Sequence, residues 1–106
     1  MYVAIILMES AAVVPGRRPL YREDVALIHA PDEATARLRA EERGRGAEAA
    51  FLNERGEMIC WRLRAVVDVA AVLDEDLSHD ADLYARHFRD LDAYERFEPL
   101  LRGEEL

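Results

Sequence analysis

The chain has 106 residues, of which 51% are hydrophobic and 34% charged, enough apolar side chains for one folded domain of about 100–150 residues without disulfide staples. Its lone cysteine, Cys60, excludes an intramolecular disulfide framework and any multi-cysteine zinc site. Twenty-two acids against fourteen Arg give a net charge of −8, which argues against nucleic acid as a partner, since that needs a basic face.

Residues 2–8 form a continuous apolar run rich in β-branched side chains. Both faces are apolar, which predicts a central strand rather than an edge. The run is too short to span a membrane, lacks a basic lead-in and meets Glu9 at once. A cytoplasmic chain is therefore expected. Residues 15–19 read Pro-Gly-Arg-Arg-Pro, a turn that no strand continues through. A second strand is expected over residues 20–30, with Val25, Ala26, Leu27 and Ile28 as its buried part.

Pro31 and Asp32 suit a helix start, and Asp32 with Glu33 complements the positive end of the helix dipole. That helix is expected over residues 32–43. Ala34 and Leu38 share one face, with Ala36 and Ala40 beside them, so the helix can lie close to a sheet. Gly44 and Gly46 are the expected stop. A short strand follows over residues 47–52. Asn53-Glu54-Arg55-Gly56 is a hairpin turn, because Asn bonds its own backbone and Gly56 supplies positive φ.

A long strand is predicted over residues 57–73. Ile59, Trp61, Leu63, Ala65 and Val67 alternate onto one face, and Met58, Cys60, Arg62, Arg64 and Val66 onto the other. Asp68 and Ala70-Ala71 mark an expected bulge or bend. From Asp74 the pattern is read as helical. Ser78 is the expected N-cap, with Asp80 and Asp82 in the first turn. Tyr84, Phe88 and Leu91 then fall at helical spacing as a core stripe, and Pro99 limits the helix. Residues 102–106 are expected to fray. Residues 74–106 hold eleven acids against four Arg, so they carry −7 of the −8.

The arginines, with no lysine at all and abundant alanine, fit the coding bias of a GC-rich bacterial genome. Around the hairpin, Phe51-Leu52-Asn53-Glu54-Arg55-Gly56-Glu57-Met58-Ile59-Cys60-Trp61-Arg62 resembles the small bacterial domain-of-unknown-function family numbered four-two-eight-eight. Its members show an aromatic, an Asn, a Gly-Glu turn, an apolar pair and a Trp. Met8-Glu9 after an aliphatic strand, residues 24–30 before Asp32-Glu33-Ala34, Val67-Asp68-Val69 and residues 83–86 fit the same order. The resemblance covers residues 2–89. Tyr2 stands where the family tends to Trp, and Ala81 where Gly is common. It implies an α+β fold and no assigned activity.

Together these readings predict one α+β domain. A mostly antiparallel sheet of about four strands carries one helix between strands two and three and another at the C-terminus. No catalytic set stands out. Cys60 reads as a small buried hydrophobe, and neither Ser10 nor Ser78 has a nucleophile-elbow context. The pairs His79/Asp82 and His87/Asp90 have a spacing that any acidic helix produces, so no metal and no cofactor is expected. Arg62 and Arg64 form the most informative feature. They need carboxylates such as Glu9 or the acidic tail, or they form a recognition surface. With Trp61 and Tyr84 they complete the candidate binding set: Glu9, Trp61, Arg62, Arg64 and Tyr84. The favoured function is a protein-interaction module, of accessory or immunity type, that masks a basic partner; a homodimer is the other protein partner considered. The alternative is a small ligand-binding protein or enzyme with an Arg/carboxylate pocket.

Overall fold

The unbroken apolar run at the N-terminus becomes the centre of the sheet. In the computed structural model, which describes residues 1–12, 16 and 18–103, β1 (Tyr2–Ala12) lies between β2 (Leu20–Ile28) and β4 (Met58–Ala71). β3 (Ala49–Leu52) closes the far edge, giving the order β2-β1-β4-β3 with every neighbouring pair antiparallel. α1 (Glu33–Gly46) connects β2 to β3, and α2 (Leu91–Phe97) stands near the C-terminus, so the chain is α+β. Of the turn expected at residues 15–19, Pro15 and Arg17 lie outside the described residues, as do 104–106 at the end. Among the described residues no helix is long and apolar enough to cross a membrane.

β1 is apolar on both faces because both are used. Ala4, Ile6 and Met8 are buried on the side of α1, while Val3 and Ile5 are buried on the other. α1 begins at Asp32, whose carboxylate accepts the Thr35 N–H at 2.7 Å. That bond holds the Asp32 carboxyl below its ordinary value. The buried stripe is Ala36, Ala40 and Gly44, spaced four apart, and not the expected Ala34 and Leu38. The helix also runs through Gly44 instead of stopping there. The reason is close approach: a Cβ on Gly44 would stand 2.6 Å from Leu63 Cδ1. Ala47 ends the helix by donating to the Arg43 and Gly44 carbonyls, so β3 starts two residues later than expected. Arg39 ties the helix back to the His29 carbonyl.

The hairpin forms as its residues dictate. Asn53 Oδ1 accepts the Arg55 and Glu57 N–H groups at 2.9 Å, and Gly56 sits at φ 75°. β4 departs from simple alternation. Two register shifts against β1 leave Arg64 and Val67 as extra residues. Ile59, Trp61 and Leu63 stay on the α1 side, but Ala65 crosses to the other face and Val66 replaces it. The bulges lie before Asp68, not at Asp68 and Ala70-Ala71.

The expected long C-terminal helix does not form over residues 74–90. Five acids crowd residues 74–82, and their carboxylates take backbone N–H groups locally. Asp76 accepts from Ser78 N at 3.0 Å and Asp74 from Asp82 N at 2.8 Å. Such bonds compete with helical ones. Ser78 therefore lies in a turn and caps nothing. The segment returns as a strap: Leu73 and Asp74 donate to the Leu83 and Asp82 carbonyls. Tyr84 packs on the Val3, Ile5 and Val72 cluster, whereas Phe88 and Leu91 stay exposed. Phe88 instead stacks on Tyr94 with ring centroids 4.8 Å apart. α2 is only seven residues long, capped by Asp90, and a 3-10 turn, Pro99–Arg102, follows it.

Candidate functional site

α1 covers one face of the sheet over β1 and β4, and the opposite face is left largely open. The register brings Tyr21, Glu23, Val25 and Leu27 of β2 to this open face beside Leu7 and Glu9 of β1. From β4 it adds Cys60, Arg62, Ala65 and Asp68. Val25 and Leu27 are therefore exposed, 67% in the case of Val25, rather than buried as expected. An edge strand with one uncovered face buries only alternate residues, here Ala26 and Ile28.

Two clusters of polar side chains occupy this face. In the first, Glu9 lies in the ladder between Tyr21 and Arg62. Its hydrogen bond from the Tyr21 hydroxyl holds that phenol above its ordinary value of 10.0; burial and the Glu9 charge add to the rise, and Arg64 opposes it. In the second, the Tyr84 hydroxyl donates to Asp68 Oδ2 at 2.5 Å. That bond raises the Tyr84 phenol too, followed by burial and the Asp68 charge, with Glu23 adding and Arg86 opposing. Asp68 also accepts the Val69 N–H at 2.9 Å. Tyr84 is thus the clamp that holds the strap on the sheet.

Of the five residues proposed from sequence, Glu9, Arg62 and Arg64 gather at one end of the open face and Tyr84 at the other. Trp61 does not join them. It faces the α1 side, half-buried at the edge of the core, with the Arg22 guanidinium 4.6 Å from its ring centroid. Arg22 also binds the Asp24 carboxylate at 2.8 and 3.1 Å. Among the described residues neither Arg62 nor Arg64 forms an ion pair, so the expected bridges to Glu9 or to the acidic tail are absent. Glu9 is instead engaged by Tyr21.

The space between the open face and the C-terminal segment is a groove of about 700 Å³. Leu7, Val67, Phe97 and Pro99 supply its apolar lining, with Tyr21, Arg22, Glu23 and Arg86 around them. It shares Glu23, Arg86 and Phe97 with an adjoining hollow of about 470 Å³, where Asp90, Glu98, His87, Phe88, Ala93 and Tyr94 stand. Phe97 is 70% exposed over this space. Leu7, Glu23, Val67, Arg86 and Phe97 are the residues that sequence reasoning missed. For Glu23 the signal was the odd-numbered row of β2, where Tyr21, Glu23, Val25 and Leu27 mix charge with apolar side chains; the other four carried none. Among the described residues no three His, Cys, Asp or Glu side chains converge as a metal site. His87 and Asp90 are both lining residues of the hollow, but no helix holds them on one face.

The model of the family Domain of unknown function (DUF4288) matches residues 1–85. The chain belongs to DUF4288. The matched segment takes in the whole sheet, α1 and the clamping Tyr84; the outer wall of the groove, from Arg86 to Pro99, lies beyond it. No curated protein and no solved structure matches the chain.

Proposed function

We propose that this DUF4288 chain is a binding module whose open-face groove takes a basic, apolar-sided segment of a protein partner. One observation carries the reading: apolar side chains at Leu7, Val67 and Phe97 lie beside the carboxylates of Glu23, Asp90 and Glu98. Arg22 and Arg86 border the same space; the Arg22 charge is engaged by Asp24 and Trp61, and Arg86 faces three carboxylates, so the lining stays acidic. The apolar floor supplies affinity by shedding water, and the carboxylates select cationic side chains. The −7 carried by residues 74–106 draws such a partner in from a distance. Masking a basic partner in this way is the mode of action of an immunity-type inhibitor.

The test is selection of displayed random peptides about ten residues long on the immobilised chain, in low salt and in ~0.5 M salt. Enrichment of Arg or Lys interleaved with apolar residues, lost at high salt, is expected. Enrichment of acidic peptides, or of none, contradicts the reading. A second reading, a small-ligand pocket, is favoured by Arg62, which forms no ion pair among the described residues, beside Glu9 and Cys60 at a hollow of about 260 Å³. That volume falls below the ~300 Å³ of typical ligand sites.

A further inference from the structure

The outer edge of β2 pairs with no strand among the described residues. An open edge presents a row of N–H and C=O groups, and proteins ordinarily interrupt it with proline, a bulge or a cover. β2 has none of the first two. Its nine residues contain no proline and pair with β1 without a register shift. The edge is flanked on both faces by hollows. The groove described above runs along Tyr21, Arg22 and Glu23 on the open face. On the α1 face, a hollow of about 560 Å³ runs along residues 23–26 and is walled by Arg43, Gly44 and Gly46 at the end of α1. It exists because α1 sits mainly over β1 and β4 and reaches β2 only around Ala26 and Ile28.

We infer that β2 receives an extended segment of the partner as a fifth strand, with alternate side chains entering the two hollows. This rests on the binding-module reading above and names how the segment is held. Successive side chains of a strand point to opposite faces, so one added strand fills both spaces. Charge decides which segment fits. Arg22, Glu23 and Asp24 stand mid-edge, where charges commonly discourage pairing. Arg22 and Asp24, however, neutralise each other within β2. Glu23 remains, in no ion pair among the described residues; it lies on the open face in a hollow where Arg86 stands against it, Asp90 and Glu98. The incoming strand therefore carries basic residues toward Glu23. Toward the α1 face, where Ile6, Ala26 and Gly44 line the hollow, it carries small apolar ones. A second copy of the chain is disfavoured, since it brings another Glu23 and a further −8 to the same edge.

The probes are three synthetic peptides: one of alternating Arg and Ala, the same peptide N-methylated at every residue, and one with Glu in place of Arg. Amide exchange and chemical shifts of the full chain are followed with each. The Arg-Ala peptide is expected to slow exchange at outward-facing β2 amides by about tenfold or more at saturation. The N-methylated peptide keeps the side chains but has no N–H donor on either edge, and is expected to give no such protection. Glu23→Arg is expected to reverse the preference toward the Glu peptide. Shifts at Leu7, Val67 and Phe97 without protection of β2 overturn strand addition and leave the groove reading standing. No response to any peptide overturns both, and protection in the free chain that rises with its concentration overturns the partner assignment in favour of a second copy.

Discussion

The two faces of the sheet are built from the same β1 strand yet meet different fates. On the α1 side, Ala4 and Met8 are 0% exposed, because the small stripe of Ala36, Ala40 and Gly44 lets a helix lie close against them. On the open side only the end near Val3 and Ile5 is sealed, by Val72 and the Tyr84 strap. Beyond that, Leu7 and Val67 line open space, and even beside Ile5 the edge residue Val25 is exposed. The difference shows two ways of covering a sheet. One face is closed by backbone proximity; the other is covered at one end only, by a strap held through the Tyr84–Asp68 bond and two backbone bonds.

Substitutions on each face break or sharpen that contrast. Met8→Ala empties the closed face and is expected to cost about 3 kcal/mol in urea unfolding. A cost under ~1 kcal/mol would mean that the α1 face is looser than its burial implies. Gly44→Val drives a branched side chain into Leu63 and Ile6, whose methyl carbons would stand 2.6 and 3.2 Å from the new Cβ. It is expected to cost about 2 kcal/mol by the same measurement, from overpacking.

Tyr84→Phe removes the clamp and is expected to cost about 1 kcal/mol, with faster amide exchange confined to the strap at residues 83–90. The raised Tyr84 phenol also fixes a pH sense. A folded value above the unfolded 10.0 means that this stability is fully present below about pH 10 and is lost as pH rises through the folded value. An alkaline unfolding series should show a larger loss in the wild type than in Tyr84→Phe, which keeps only the share of the raised Tyr21 phenol. Val25→Thr, on the open face, is expected to change stability by less than ~0.5 kcal/mol. A larger loss would place Val25 in a packed interface of the free chain.

Much of the fold was legible because its signals are local. The apolar run of β1, the Asp32 cap and the Asn53–Gly56 turn each act within a few residues, and each formed where its chemistry required. The bulges at Arg64 and Val67 were not legible, since they exist only in the pairing with β1. Helical spacing misled at Tyr84, Phe88 and Leu91 because the carboxylates upstream hold the backbone in turns. Of the site, Arg62 could be placed opposite Trp61 from strand alternation, whereas Glu9 was legible only as a carboxylate for the arginines and Tyr84 only as part of a helix that does not form. The groove itself could not. It joins Leu7, Val67 and Phe97, which are distant in sequence and meet only through the sheet and the returning strap.

The most direct test of this account titrates a selected basic peptide into the wild-type chain and into Phe97→Asp, with the thermal midpoint of each recorded. Phe97 belongs to the open face and touches none of the closed core. The account predicts affinity weakened by about tenfold or more, equivalent to ~1.4 kcal/mol, at an unchanged midpoint. Unchanged affinity in Phe97→Asp would contradict the claim that the open face is where this chain binds.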